Sequence, residues 1–341
     1  MNNEVLASTA RALVSKGKGI LAADESLGTI KKRFKSIDLE STEEARRSYR
    51  EMLFTTSGAE EYISGVILFD ETIRHKTQGG VPFTELLSKK GVIPGIKVDK
   101  GTVDLTGFPG EKITEGLDGL RERLAEYVKL GAGFTKWRAV VDIGEGIPTR
   151  FCIQANAHAL ARFAALSQEA GLVPIVEPEV LMDGGHDIQR CEEVTEATLK
   201  EVFMALFEHR VFLEGSLLKP NMVISGKKCS KQATAKEVAE ATVRCLLRCV
   251  PASVPGIVFL SGGQGPEQAT ENLNAMNALG PFPWELSFSY GRALQDPSIK
   301  AWKGQPSNVP AAQKLLYHRV KCNGAARFGK YSKGMETVAA R

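Results

Sequence analysis

The sequence predicts a single (β/α)8 barrel of the α/β class, with an N-terminal helix before it and a flexible C-terminal tail after it. Three observations point there. Eight short apolar, β-rich runs recur along the chain, helix-length segments separate them, and seven of the eight runs end in residues able to do chemistry or hold phosphate. Strands alternating with helices imply a parallel sheet with crossover helices, and eight such units can close into a barrel. A doubly wound sheet is the alternative. It fits less well, because no G-x-G-x-x-G follows the first run and no shift in composition marks a second domain. One domain is expected over residues 1–341, with a mobile tail from about residue 323.

The first segment, MNNEVLASTARALVSKGKG, has an amphipathic helical pattern and no signal-peptide core. GILAADES, residues 19–26, is the first strand candidate and ends on Asp24, Glu25 and Ser26. Residues 41–57 read as a helix, with Ser41 and Glu44 as a capping box and basic residues after an acidic first turn. ISGVILFD ends on Asp70, and PGIKVDK carries Lys97 and Asp99. The period of residues 115–130 predicts a helix stopped by Gly131. GFTKWRAVVDI places Lys136 and Arg138 two apart, on one face of a strand. A helix over 154–170 leads to VPIVEPEV, where Glu177 and Glu179 are again two apart. Helices over 195–209, 234–249 and 266–278 bracket the remaining runs: VFLEGSLLKPNMV with Lys219, GIVFLSGGQG with Ser261, Gly262 and Gly263, and WELSFSYGRAL with Ser289, Tyr290, Gly291 and Arg292.

Composition narrows the functional classes. With 44 basic and 40 acidic residues the net charge is +4, too mild to argue for nucleic acid or a membrane surface as partner. No apolar run reaches the roughly 18 residues of a membrane span. The six cysteines show no C-x-x-C pair, which suggests free thiols in a reducing compartment. The five histidines are dispersed, without the spacing of a sequence-local metal site.

A lysine ending an apolar strand, as Lys219 does, is costly to desolvate. Its stem can pack while the ammonium reaches solvent, or it can be held dry as an amine that attacks a carbonyl. The other strand ends decide between these. In a barrel they converge on one mouth, and a purely structural barrel needs no alternating cations and carboxylates there. If Lys136 and Lys219 lie on neighbouring strands, charges about 5 Å apart at an effective dielectric near 20 repel by roughly 3 kcal/mol, about two pKa units. Glu177, Glu179 and Asp24 oppose that, and the residues alone leave open which lysine is the nucleophile. Of Glu177 and Glu179, one reads as an ion-pair partner of Lys136 or Arg138, the other as a proton shuttle beside an imine. Ser261, Gly262 and Gly263, with Gly291 and Arg292 on the next strand, suit a phosphate. Lys97, Ser26 and Thr29 suit a second anion across the mouth. The inferred ligand is a carbonyl compound with two phosphates.

At this point the chain resembles a known family. VFLEGSLLKPN, Val211 to Asn221, matches the active-site signature of class I fructose-bisphosphate aldolase, the Schiff-base-forming type. GKGILAADES, FTTSG, EYISGVILFDET, GIKVDKG, GLDGL, KWR, VPIVEPE, LSGGQ, FSYGRALQ and KAW extend the likeness along nearly the whole chain. The resemblance implies that Lys219 forms the Schiff base, Glu177 acts as acid and base, Asp24 acts at the C4 hydroxyl, and Lys136 assists carbon–carbon cleavage. Glu179 and Arg138 match supporting positions. Phosphate-binding positions fall on Ser261, Gly262, Gly291 and Arg292 on one side and on Ser26, Thr29 and Lys97 on the other, with Arg33 and Arg46 as further basic contacts. It also implies reversible cleavage of fructose 1,6-bisphosphate to dihydroxyacetone phosphate and glyceraldehyde 3-phosphate, a TIM barrel, a homotetramer, and no cofactor, the iminium replacing the metal of class II enzymes. One departure stands out. Many members end in a tail closing on a tyrosine, whereas this chain ends GKYSKGMETVAAR with Tyr331 inside the tail. Either the natural chain extends further or the enamine proton is handled differently.

Two other readings compete. An isomerase or transaldolase-like phosphosugar barrel is opposed by the eleven-residue match. A non-catalytic scaffold that binds acidic protein segments would be favoured by loss of Lys219, Glu177 or Asp24, all of which are present. A secondary scaffold role is compatible with catalysis. With no obvious transit peptide, the expected compartment is the cytoplasm, a trimmed plastid or organellar form reading the same.

Overall fold

The computed structural model describes residues 2–340, and side chains as far as residue 337. Arg341, the end of the expected tail, lies outside the described residues. All eight expected strands form: β1 Gly19–Ala22, β2 Ile63–Leu68, β3 Ile93–Lys97, β4 Phe134–Val141, β5 Val173–Val180, β6 Leu217–Leu218, β7 Gly256–Phe259 and β8 Glu285–Tyr290. They pair in parallel around a closed barrel, β1 meeting both β2 and β8. A small antiparallel ribbon, Thr102–Asp104 with Lys112–Thr114, follows β3 and was not legible in the sequence.

The two-residue period of the strands decides what fills the barrel. Inward positions begin apolar and turn charged toward the C-terminal end: Ile20, Ala22, then Asp24; Phe134, Lys136, then Arg138; Val173 and Ile175, then Glu177 and Glu179; Leu217, then Lys219. The apolar lower half joins Leu6, Ala10, Leu13 and Val14, so the N-terminal helix Asn3–Leu13 and the residue after it plug the bottom of the barrel. Outward side chains face the helices; Trp137, for example, stacks on Phe163 with centroids 5.7 Å apart.

The expected helices form with shifted ends. The helix expected over 41–57 is Glu43–Phe54, capped by Thr42, whose hydroxyl accepts from Ala45 N at 3.1 Å. Ser41 and Glu44 therefore make no capping box, because the helix starts one residue later; Glu44 instead binds Arg47 and Ser48. A capping box does form between Thr234 and Glu237, at the head of Ala235–Cys249. Behind the barrel, the helix Val309–Ala326 runs past the expected start of the tail. There His318, Cys322 and Glu336 gather within 4.8 Å of one another. His318 is already hydrogen-bonded to Glu336 at 2.9 Å, and Arg319 pairs with the same carboxylate. Among the described residues no helix is long and apolar enough to cross a membrane.

Candidate active site

The C-terminal strand ends open into a cavity of about 1190 Å³. Asp24, Lys97, Lys136, Arg138, Glu177, Glu179 and Lys219 all line it, as do Ser26, Thr29, Arg33, Ser261, Gly262, Ser289, Gly291 and Arg292.

Local chain chemistry sets Lys219. Its N–H donates to Val176 O at 2.8 Å, continuing the ladder of β6 on β5. Pro220 lacks an N–H and ends that ladder, while its carbonyl accepts from Leu260 N on the other side. Asn221 then bridges the ends of β5 and the following helix, accepting from Val180 N and donating to Thr195 Oγ1, each at 3.0 Å. The strand thus stops with the lysine stem inside the barrel, and Lys219 is only 3% exposed.

Lys136 and Lys219 are not on neighbouring strands. β5 stands between β4 and β6, and it brings Glu177 between the two lysine nitrogens. Lys219 Nζ lies 3.1 Å from Glu177 Oε1, and Lys136 Nζ lies 3.0 Å from Glu177 Oε2 and 2.7 Å from Asp24 Oδ2. The contact to Oε2 is an ion pair outside hydrogen-bond geometry, since that oxygen has no hydrogen-bond partner among the described residues. The direct repulsion anticipated from adjacent strands is therefore replaced by a shared carboxylate. Burial works against the Lys136 ammonium, but the charges of Asp24, Glu177 and Asp99 outweigh it and raise its pKa above the ordinary lysine value. Burial likewise works to raise the Asp24 carboxyl, yet Lys136 and Lys219 hold it below the ordinary carboxylate range. The site thus contains a protonated lysine and an ionised aspartate in contact, beside a second buried lysine.

Glu179 pairs with Arg138. Asp99 was left out of the expected site, although it follows Lys97 at the same two-residue period. Its carboxylate accepts from Lys97 Nζ and Gly101 N, and from Arg138 N at 3.2 Å, tying β3 to β4 at the mouth. Glu25, also left out, lines the cavity beside Asp24, where Arg33 and Arg50 pair with it and Gln295 donates to it at 3.0 Å. Its place beside Asp24 was the only signal in the sequence.

Three expected binding residues do not line the cavity. Tyr290 is fully buried on the outer side of β8, with its hydroxyl donating to Ala269 O at 3.0 Å, because strand alternation sends it opposite to Ser289. Arg46 is turned to Glu71, which it grips with Nε and NH2. Gly263 lies just behind Gly262; both have positive φ, 91° and 58°, so the turn after β7 needs glycine at each. Ser289 Oγ is buried without a hydrogen-bond partner among the described residues, while Ser26 Oγ and Thr29 Oγ1 lie 3.1 Å apart across the mouth.

The chain is similar to known proteins along nearly its whole length. The family model described as fructose-bisphosphate aldolase class-I matches residues 5–341. A probable fructose-bisphosphate aldolase class 1 of Xanthomonas campestris pv. campestris is 61% identical over 97% of this chain and 99% of its own. Fructose-bisphosphate aldolase 1 of Toxoplasma gondii is 56% identical over 96% of this chain and 91% of its own. Among solved structures, the Plasmodium falciparum fructose-bisphosphate aldolase in complex with TRAP and a small molecule inhibitor superposes with a TM-score of 0.96, at 53% identity over 97% of this chain and 96% of that one. The chain belongs to the class I fructose-bisphosphate aldolase family, and it is a lyase.

Proposed function

We propose that Lys219 is the amine that carries the family's reaction, the reversible aldol cleavage of fructose 1,6-bisphosphate in glycolysis. The observation that carries this reading is the buried Lys219 Nζ 3.1 Å from Glu177 Oε1. Lys219 passes a proton to Glu177 and, as the free amine, adds to the C2 carbonyl; Glu177 then returns that proton to the carbinolamine oxygen, which leaves as water. The iminium so formed draws electrons from C3. Asp24, ionised, takes the C4 hydroxyl proton; the C3–C4 bond breaks, its electron pair passes into the enamine, and glyceraldehyde 3-phosphate departs. Protonation at C3 and attack of water on the iminium release dihydroxyacetone phosphate and restore the amine. Lys136, cationic between Asp24 and Glu177, keeps both carboxylates apart in role and stabilises charge developing on the C4 oxygen. Arg138 and Glu179 orient that group. The phosphates fall to Ser261, Gly262, Gly291 and Arg292 on one side, and to Ser26, Thr29, Arg33 and Lys97 on the other.

Borohydride reduction in the presence of dihydroxyacetone phosphate and EDTA, followed by peptide mass spectrometry, tests the assignment. A reduced adduct on Lys219 is expected. An adduct on Lys136 reverses the roles, and no adduct with activity lost in EDTA removes the imine mechanism.

A homotetramer in the cytoplasm is the accompanying proposal. Exposed Met204, Phe207 and Leu247 offer apolar surface for assembly, and the Arabidopsis thaliana relative at 54% identity is named cytosolic. A secondary role in docking acidic protein segments at the basic mouth is a further proposal; the Plasmodium falciparum aldolase was solved in complex with another protein, TRAP. Light scattering tests the first, and competition between an acidic peptide and fructose 1,6-bisphosphate the second.

A further inference from the structure

The loop after β6 is zipped to the loop after β5. Gly226 N donates to His186 O at 2.9 Å, Lys227 N to Met182 O at 2.7 Å and Lys228 N to Gly184 O at 3.0 Å. A Cβ on Gly226 would stand 2.3 Å from Gly184 O, so only glycine permits this approach. The backbone of Lys227 is thereby fixed at the rim. Its ammonium pairs with Asp183 Oδ1 at 2.8 Å, yet it also reaches the turn after β7. A Cβ added to Gly263 would meet Lys227 Nζ at 2.7 Å and Arg292 NH2 at 3.2 Å.

Two cations from different strands therefore share one corner, and among the described residues only Asp183 pairs with either. An ordinary rim ion pair accounts for the contact with Asp183. It does not account for the ammonium lying against the same glycine as Arg292, where two like charges repel unless an anion joins them. Arg292 also begins the helix Arg292–Trp302, whose N-terminal dipole favours negative charge at the same place.

We infer that Lys227 is a substrate-binding residue, its ammonium moving from Asp183 onto the phosphate held by the loops after β7 and β8. The inference rests on the reading of that corner as a phosphate site. Asp183 then acts as a resident competitor, occupying the cation while the site is empty. Among the described residues Lys227 pairs with Asp183 and with none of Asp24, Glu177 or Glu179, so it acts on binding and not on bond cleavage.

Steady-state kinetics of the full chain with fructose 1,6-bisphosphate test it, together with inhibition by inorganic phosphate. Lys227→Met should raise KM and the phosphate inhibition constant about tenfold, with kcat within about twofold of wild type. Lys227→Arg should keep both near wild type, and Asp183→Asn should lower KM by about two- to threefold. An unchanged KM in Lys227→Met, or a kcat falling as far as kcat/KM, overturns the inference. Arg292→Met separates the two levels. If it raises KM while Lys227→Met does not, only the role of Lys227 fails; if neither does, the phosphate reading of the corner fails with it.

Discussion

Lys136 and Lys219 share one carboxylate, each holding a different oxygen of Glu177, at 3.0 and 3.1 Å. The strand between them therefore supplies an anion where a gap would have left direct repulsion. The Coulomb energy of two unit charges at such distances is about 5 kcal/mol at an effective dielectric near 20, large enough for one carboxylate to govern both lysines.

Glu177→Gln should therefore do more than remove a proton donor. It leaves the two buried lysine nitrogens without the carboxylate between them and removes the acid for carbinolamine dehydration. We expect kcat for cleavage to fall by about 10²–10⁴-fold. Burst-phase kinetics with borohydride trapping should show slow appearance of the Lys219 adduct; adduct formation at the wild-type rate contradicts this role.

Asp24→Asn should separate bond cleavage from imine formation. Trapping of dihydroxyacetone phosphate on Lys219 should persist, while cleavage of fructose 1,6-bisphosphate drops by about 10²-fold or more. Stability gives a second readout. The folded Asp24 pKa is depressed from 3.8, so its contribution is fully present above that value and lost as pH falls through the lower folded value. The variant should be destabilised by about 1–3 kcal/mol at pH 7 in urea melts, and the gap to wild type should close as pH drops below 3.8.

Gly95→Ala should disturb the site from below. A Cβ there would lie 2.2 to 2.4 Å from the ring of Phe134, which is fully buried in the bottom half of the barrel. Lys97 and Lys136 stand one inward position higher on the same two strands. The overpacking should cost about 1–3 kcal/mol and lower Tm, with kcat falling alongside. A wild-type Tm would mean that Phe134 repacks freely.

Glu336→Gln should loosen the segment after the last long helix. Its carboxyl is held at about 2, against an ordinary 4.5; burial works upward, but Arg319, His318 and Tyr331 more than offset it. The stabilisation is therefore present above 4.5 and lost as pH falls toward about 2. Hydrogen exchange over residues 331–337 should quicken in the variant at pH 7, with a loss of about 1 kcal/mol in local stability. Exchange unchanged from wild type would mean that the three donors do not hold the segment.

The barrel was legible because parallel strands buried on both faces are written as apolar runs, and crossover helices as the spacing between them. Helix ends were less legible. Thr42, not Ser41, caps its helix, because both residue types satisfy the same local rule and tertiary packing chose the start. The mouth could be read through Lys136 with Arg138 and Glu177 with Glu179, pairs whose two-residue spacing forces a common face. The same rule places Tyr290 opposite to Ser289, and there strand alternation overrode proximity in the chain.

By itself the sequence determined the number of strands, the reactive residue types at the strand ends and membership in the aldolase family, since these depend on local period and on residue identity. Only the tertiary structure decided which charges touch. Closure of the barrel set β5 between β4 and β6, giving Glu177 to both lysines, and it turned Arg46 away to Glu71. It also carried Lys227 beside Arg292, 65 residues further along the chain. Electrostatic energy depends on distance through space, which no spacing along the chain expresses until the barrel closes.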